Sequence, residues 1–234
     1  MICSIYRFEY LFIMNYLVII RHGLTEWSNR FTGWTDIDIT PEGAEMTKKY
    51  AVRLKENGFK FDIGYTSVLK RGIRTLEIAL KTIGQEYIPI VKDWHLNERN
   101  YGDLQGQNKA EAVKKYGEEQ VKLWRRSYDI APPNGESLKD TYNRSVPYFQ
   151  NTVLAAIKNG KQVILSGHHN SLRAIIKFLD NISDQDIVNL TVPYCIPLVY
   201  EFSQTMQPLK HYYLAGDEEV TQVIESIKNQ TKRV

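Results

Sequence analysis

The feature that most constrains this chain is a repeated pattern of short, unbroken apolar runs, each followed by a stretch of helical periodicity. Leu17-Val18-Ile19-Ile20 is the first run, and four consecutive large aliphatic residues leave no polar face for solvent. Such a strand is covered on both sides, as in a parallel sheet flanked by helices. Thr40-Pro41-Glu42 then supply an N-cap, a proline at the first helical position and an acid in the first turn, which predicts a helix to about Asn57. Asp62 to Thr66 reads as a second strand, Lys70 to about Ile83 as a second helix, and Ile88 to Val91 as a third strand. Asn108 to Tyr128 is helical and strongly charged, with a break near Gly117, and Pro132-Pro133-Asn134-Gly135 is a turn cluster. A long helix is expected from about Leu138 to Asn159, disturbed at Pro147. Val163 to Ser166 is another buried strand, a helix begins near Ser171, and Leu198 to Phe202 and Leu209 to Tyr213 are late strands. Strands alternating with helices predict an α/β fold: a three-layer sandwich with a mostly parallel sheet flanked by helices.

Length and composition bound the rest. A chain of 234 residues suits one domain, here residues 16–234, after an N-terminal extension at residues 1–15. That extension carries Glu9 and lacks a basic start, so it does not fit a signal peptide; Met14 directly before the first strand fits a mis-assigned start. Hydrophobic and charged fractions of 43% and 24% are those of a globular protein and argue against disorder. A net charge of +3 is too mild to imply nucleic acid, and no apolar stretch reaches transmembrane length. Cys3 and Cys195, the two cysteines, suggest no disulfide framework and have no metal-site spacing, which together suit the cytoplasm.

Two of the apolar strands end in histidine-bearing turns, Ile20-Arg21-His22-Gly23 and Leu165-Ser166-Gly167-His168. Ligands of open α/β sheets bind outside the carboxyl ends of strands, so both rings are expected at one edge. A single histidine after a strand is usually just a hydrogen-bonded structural residue; two in matching places favour chemistry. Neutral imidazole is a competent nucleophile and phosphoryl carrier. Beside His22, Arg21 offers a planar fork suited to phosphate oxygens, and Gly23 would let backbone amides approach an anion.

With these turns, longer segments carry a resemblance. They are Asn29-Arg30-Phe31-Thr32-Gly33-Trp34, Tyr65-Thr66-Ser67-Val68-Leu69-Lys70-Arg71, Leu96-Asn97-Glu98-Arg99 and Tyr101-Gly102-Asp103-Leu104-Gln105-Gly106. Trp124-Arg125-Arg126 and Asn170-Ser171-Leu172-Arg173-Ala174 complete the set. In consistent order from about Tyr16 to Leu214, they resemble the 2,3-bisphosphoglycerate-dependent phosphoglycerate mutase branch of the histidine phosphatase superfamily. The resemblance implies that His22 is phosphorylated, that His168 stabilises the transferring group, and that Arg21 and Arg71 hold it. It implies that Glu98 is the general acid/base, and that Tyr101, Lys109, Arg125 and Arg126 grip the substrate's carboxylate and second phosphate. Thr32, Gly33 and Asn170 match further binding positions. The ordinary readings are surface salt bridges for the arginines, a partner for Arg99 in the case of Glu98, and a solvated helix face for Lys122 to Arg126. Trp27, Trp34, Trp94 and Trp124, with Tyr212 and Tyr213, read as packing residues without a ligand role.

The chain also departs from the family pattern. Leu24 stands in place of an acid, Thr25 in place of serine, and Asn100 in place of a histidine. The stretch between Trp27 and Arg30 is about two residues short, so either Ser28 or Asn29 takes a place held by asparagine. His169 replaces a glycine whose amide touches phosphate; a φ above zero there would cost about a kcal/mol, while the ring would offer an extra donor. About twenty residues that help to cover the site in longer relatives are missing between Pro133 and Glu136, which would favour loss of the phosphoryl group to water. Three functions follow in order. The first is interconversion of 3- and 2-phosphoglycerate, primed by 2,3-bisphosphoglycerate without a metal. The second is a histidine-type phosphatase acting on small phosphorylated metabolites. The third is a phosphoanion-binding relative without catalysis. A homodimer or dimer-based tetramer is implied, with no nucleic-acid or membrane partner.

Overall fold

A computed structural model describes residues 15–229; the expected extension and Cys3 lie outside the described residues, apart from Asn15, where the first strand begins. The strands are β1 (Asn15–Arg21), β2 (Ile63–Thr66), β3 (Ile90–Lys92), β4 (Val163–Gly167), β5 (Leu198–Phe202) and β6 (Pro208–Tyr213). The helices are α1 (Pro41–Glu56), α2 (Lys70–Ile83), α3 (Lys109–Tyr116), α4 (Glu118–Arg126), α5 (Leu138–Tyr148), α6 (Ala155–Lys158), α7 (His169–Leu179) and α8 (Asp217–Asn229). All six strands form one sheet in the order β3-β2-β4-β1-β5-β6. The first three pairings along it are parallel, and the β1–β5 and β5–β6 pairings are antiparallel.

Successive strand residues face opposite sides, and the core divides accordingly. Leu17, Ile19, Val163 and Leu165 pack with Phe149, Val153, Leu172 and Ile175 on one face. Val18, Ile20 and Ile164 pack with Leu54, Leu76, Ala79 and Leu80 of α1 and α2 on the other. The unbroken apolar run of β1 therefore feeds two cores, which is the expected three-layer sandwich.

Several boundaries behave as the sequence dictates. Thr40 caps α1 by accepting the Gly43 amide at 3.0 Å, with Pro41 at the first helical position. Gly117, at φ 83°, separates α3 from α4. Others differ. Pro147 lacks the N–H that would reach the fourth residue back, and the helix does not stop but widens into π geometry at Phe149–Leu154 before resuming as α6. The third strand starts at Ile90 rather than Ile88, because Pro89 between them has no amide for the ladder. The seventh helix opens at His169, two residues before the expected Ser171. Helix α8 was not anticipated, although Asp217, Glu218 and Glu219 in its first turn and Val220, Val223, Ile224 and Ile227 at helical spacing carry the signal. None of the described helices is long and apolar enough to cross a membrane.

Candidate active site

Parallel register brings the ends of three adjacent strands to one edge. Arg21 of β1 pairs with Gly167 of β4, and Thr66 of β2 with Ser166. The next residues, His22, Ser67 and His168, therefore emerge side by side. The rings of His22 and His168 lie 5.1 Å apart, centroid to centroid, close enough to flank one phosphorus atom. His22 Nδ1 lies 2.7 Å from the Gly23 carbonyl oxygen, to which it donates, leaving Nε2 with the free lone pair. His168 Nε2 lies 2.7 Å from the Ser67 hydroxyl. Burial, then the charges of Arg71 and Arg21, push the His22 ring well below the usual imidazole range. Burial and Arg71 do the same to His168. Both rings are neutral at physiological pH, the state a nitrogen nucleophile requires.

Gly23 serves a different purpose from the one expected. Its amide donates to Thr75 Oγ1 at 3.0 Å, so it is not aimed at a ligand. A Cβ there would stand 2.7 Å from the Gly43 carbonyl oxygen. Glycine is needed because the histidine turn and the start of α1 touch backbone to backbone.

Around His22 is a pocket whose lining includes Arg21, Arg30, Arg71, Lys109, Arg125 and Arg126, with Glu98 the one carboxylate among the described residues. Arg71 is 1% exposed and donates to the carbonyl oxygens of Gly33 at 2.7 Å and Thr35 at 2.9 Å. Arg21 donates to the Val192 carbonyl at 2.7 Å and lies 3.7 Å from the Tyr194 ring centroid. The ordinary reading of both arginines as surface salt bridges is thereby corrected. Glu98 Oε1 accepts the amides of Arg99 at 2.8 Å and Asn170 at 3.0 Å, the latter from the amino end of α7. Beneath α3 and α4, Phe31, Leu104, Ala112, Val121 and Trp124 form a small core of their own. That core turns Lys109, at the first position of α3, and Arg125 and Arg126, in the last turn of α4, toward the pocket. Ser28, Thr32, Gly33, Tyr101, His169 and Asn170 also line it.

Some expectations are corrected. Ser28 lines the pocket and Asn29 does not; Asn29 contributes its carbonyl to the Lys109 amide at 2.9 Å. His169 is the first residue of α7 and is not among the residues with positive φ, so no left-handed strain arises. Its Nε2 is buried without a partner within the protein, as are Arg21 Nε and His168 Nδ1. Trp27 lines the pocket, although it was read as packing. Trp34 donates its indole N–H to the Glu98 carbonyl at 2.6 Å, Trp94 is 46% exposed, and only Trp124 is core. Thr25, Arg30, Phe31, Tyr194 and Ile227 were missed; the last two come from segments distant in sequence, with no chemical signal of their own. Among the described residues, no group of three or more His, Cys, Asp or Glu is arranged to hold a metal ion.

Lys109 gives the site a testable pH dependence. Its ammonium donates to the Ser28 carbonyl at 2.6 Å. Burial, followed by the charges of Arg125, Arg21 and Arg126, pushes its pKa down to about 7, whereas the unfolded chain keeps a value of roughly 10.4. Between these values the unfolded state binds the extra proton, so stability rises as pH increases. Below about 7 the cost of the buried charge is complete. Thermal unfolding of the ligand-free protein should therefore show a Tm that climbs from pH 7 to 9.5 more steeply in wild type than in Lys109→Met. Equal slopes would place the lysine in an ordinary solvated environment.

Comparison with known proteins identifies the family and the fold. Residues 17–214 match the family model of the histidine phosphatase superfamily (branch 1). A 2,3-bisphosphoglycerate-dependent phosphoglycerate mutase from Treponema denticola is 44% identical over 93% of this chain and 99% of its own length. That alignment runs to 244 residues, longer than this chain, so the relative carries insertions. A mycobacterial glucosyl-3-phosphoglycerate phosphatase superposes with a TM-score of 0.71 at 21% identity, covering 86% of this chain and 97% of that one. The alpha-ribazole phosphatase of Shigella flexneri gives 0.69 at 19% identity, with 83% and 94% covered. At those identities the likeness is one of fold.

Proposed function

The chain belongs to branch 1 of the histidine phosphatase superfamily, and from that membership we propose that it interconverts 3-phosphoglycerate and 2-phosphoglycerate in glycolysis and gluconeogenesis. The reading is that of a 2,3-bisphosphoglycerate-dependent phosphoglycerate mutase, supported by the Treponema denticola relative. The observation that carries it is the neutral His22 ring lining a cationic pocket, with the buried His168 ring 5.1 Å from it.

His22 Nε2 attacks phosphorus in line with the departing ester oxygen. The N–P bond forms as the P–O bond breaks, and Glu98 passes a proton to the leaving alkoxide. Arg21, Arg71 and His168 stabilise the charge that collects on the equatorial oxygens, and donors fixed in advance do so without reorganisation. That step, on 2,3-bisphosphoglycerate, leaves phospho-His22. In the other half the C2 hydroxyl of 3-phosphoglycerate attacks the phosphorus of phospho-His22, the N–P bond breaks as the new P–O bond forms, and Glu98 takes the hydroxyl proton. Lys109, Arg125, Arg126 and Tyr101 hold the carboxylate and the second phosphate, helped by Ser28, Thr32, Gly33, His169 and Asn170. 2,3-Bisphosphoglycerate supplies the phosphoryl group that primes His22. Its five or so negative charges near neutrality face six basic side chains, Arg21, Arg30, Arg71, Lys109, Arg125 and Arg126, and favour the protonated form of Lys109. The unpartnered Nε of Arg21 and Nε2 of His169 suit phosphate oxygens.

Purified protein in excess chelator should isomerise 3-phosphoglycerate once primer is added, and only slowly without it. Failure with primer present would end the mutase reading, and release of phosphate faster than isomerisation would favour the phosphatase. A homodimer or dimer-based tetramer acting in the cytoplasm belongs to the same proposal, and sedimentation of the purified protein tests the assembly.

A further inference from the structure

Glu98 is anchored less by its own neighbours than by a side chain from the far side of the loop. Arg144 of α5 reaches under the segment 95–98 and donates to three of its carbonyl oxygens: His95 at 2.7 Å, Asn97 at 3.0 Å and Glu98 at 2.9 Å. Its Nε and Nη2 also form a two-point ion pair with Glu136, at 2.7 and 2.9 Å. Glu136 Oε2 in turn accepts the Asn100 amide at 2.8 Å, and the Glu136 amide donates to the Asn100 carbonyl at 2.8 Å. The backbone is thus gripped on both sides of Glu98. The arginine side chain is 9% exposed and its partner's 19%. The Trp34 indole seals the arrangement: its N–H donates to the Glu98 carbonyl and its ring lies 5.7 Å from the guanidinium carbon.

A proton donor must sit within hydrogen-bond reach of one oxygen, and displacement of about 1 Å is costly even when it originates away from the chemistry. The Glu98 carboxylate has its own amide donors, but their aim is useful only if the backbone beneath it does not shift. A planar fork suits this task, since lysine could not bridge three carbonyls and a carboxylate together. We propose that Arg144 and Glu136 are a positioning pair for the proton transfer performed by Glu98. The inference rests on the role given to Glu98 above. Neither residue lines the pocket, and both act on Glu98 through the backbone that carries it.

The test compares two phosphoryl donors. 2,3-Bisphosphoglycerate must lose an alkoxide, which needs the proton from Glu98 as the P–O bond breaks. p-Nitrophenyl phosphate loses a stabilised phenolate that leaves without one. In single-turnover labelling of His22, Arg144→Lys and the charge-neutral pair Arg144→Met/Glu136→Gln should slow uptake from bisphosphoglycerate by roughly 10- to 100-fold, within the range of general acid catalysis. Uptake from p-nitrophenyl phosphate should change less than about threefold, and Glu98→Gln should show the same selectivity. Adding Arg144→Lys to Glu98→Gln should cost little more, because residues acting as one unit are not additive. Equal slowing with both donors, or additive losses, would reduce the pair to a fold-stabilising role and overturn the proposal; Glu136→Gln alone repeats the comparison with the arginine kept. Absence of label in wild type from either donor would overturn the nucleophile assignment itself, a result read without any variant.

Discussion

Replacing His22 with alanine is expected to abolish transfer of the phosphoryl group from 2,3-bisphosphoglycerate to the protein, and to lower mutase turnover by at least about 10⁴-fold, the scale seen when a nucleophile is removed. The effect is large because no neighbour can substitute. His168 is fully buried behind His22, with Nε2 engaged by Ser67. His169 lies one residue further along, in the first turn of α7. The fold should survive, since the apolar run of β1 ends before the substituted position and the His22 amide, which donates to the Gly167 carbonyl at 3.0 Å, is retained. Acid-labile label, counted after denaturation, checks the result. Label persisting in His22→Ala at the wild-type level would mean that another nitrogen carries the phosphoryl group.

Arg71→Met should produce the second largest loss, roughly 30- to 5,000-fold in kcat/KM, the equivalent of the 2–5 kcal/mol typical of truncating one partner of a buried charge pair. Burial pushes its pKa down to about 10, which still leaves it cationic at neutral pH. Two donors are spent on Gly33 and Thr35, which fix the head group while leaving the rest of the fork for phosphate. Arg71→Lys should recover little, because an ammonium cannot reach two carbonyls and a phosphate in one plane. Stability should fall as well, by about 1–3 kcal/mol for the unsatisfied carbonyls. Steady-state kinetics with thermal unfolding separates the two losses; a lysine variant within threefold of wild type would exclude the planar role.

Much of the fold was legible because its signals are local. Pro41 and Thr40 set the start of α1, and Gly117 divides α3 from α4, through backbone preferences that act over a few residues. The π segment after Pro147 was not legible as such, because packing decides whether a proline ends a helix or deforms it. The histidine turns were readable from strand ends alone. Arg71 was not, since Lys70-Arg71 also looks like an ordinary helix start; only the longer family resemblance singled it out. Tyr194, Ile227 and the Arg144–Glu136 pair escaped notice because nothing in their neighbours distinguishes them from packing or surface charge.

By itself, the sequence determined the α/β order, the placement of two imidazoles after apolar strands and the supply of cations, since periodicity and chemical type are properties of neighbouring residues. Only the tertiary structure decided that β1 lies between β4 and β5, that Arg71 turns inward to Gly33, and that α5 grips the loop carrying Glu98. Those outcomes depend on contacts between residues tens of positions apart, whose free energy is released only when the layers close around them.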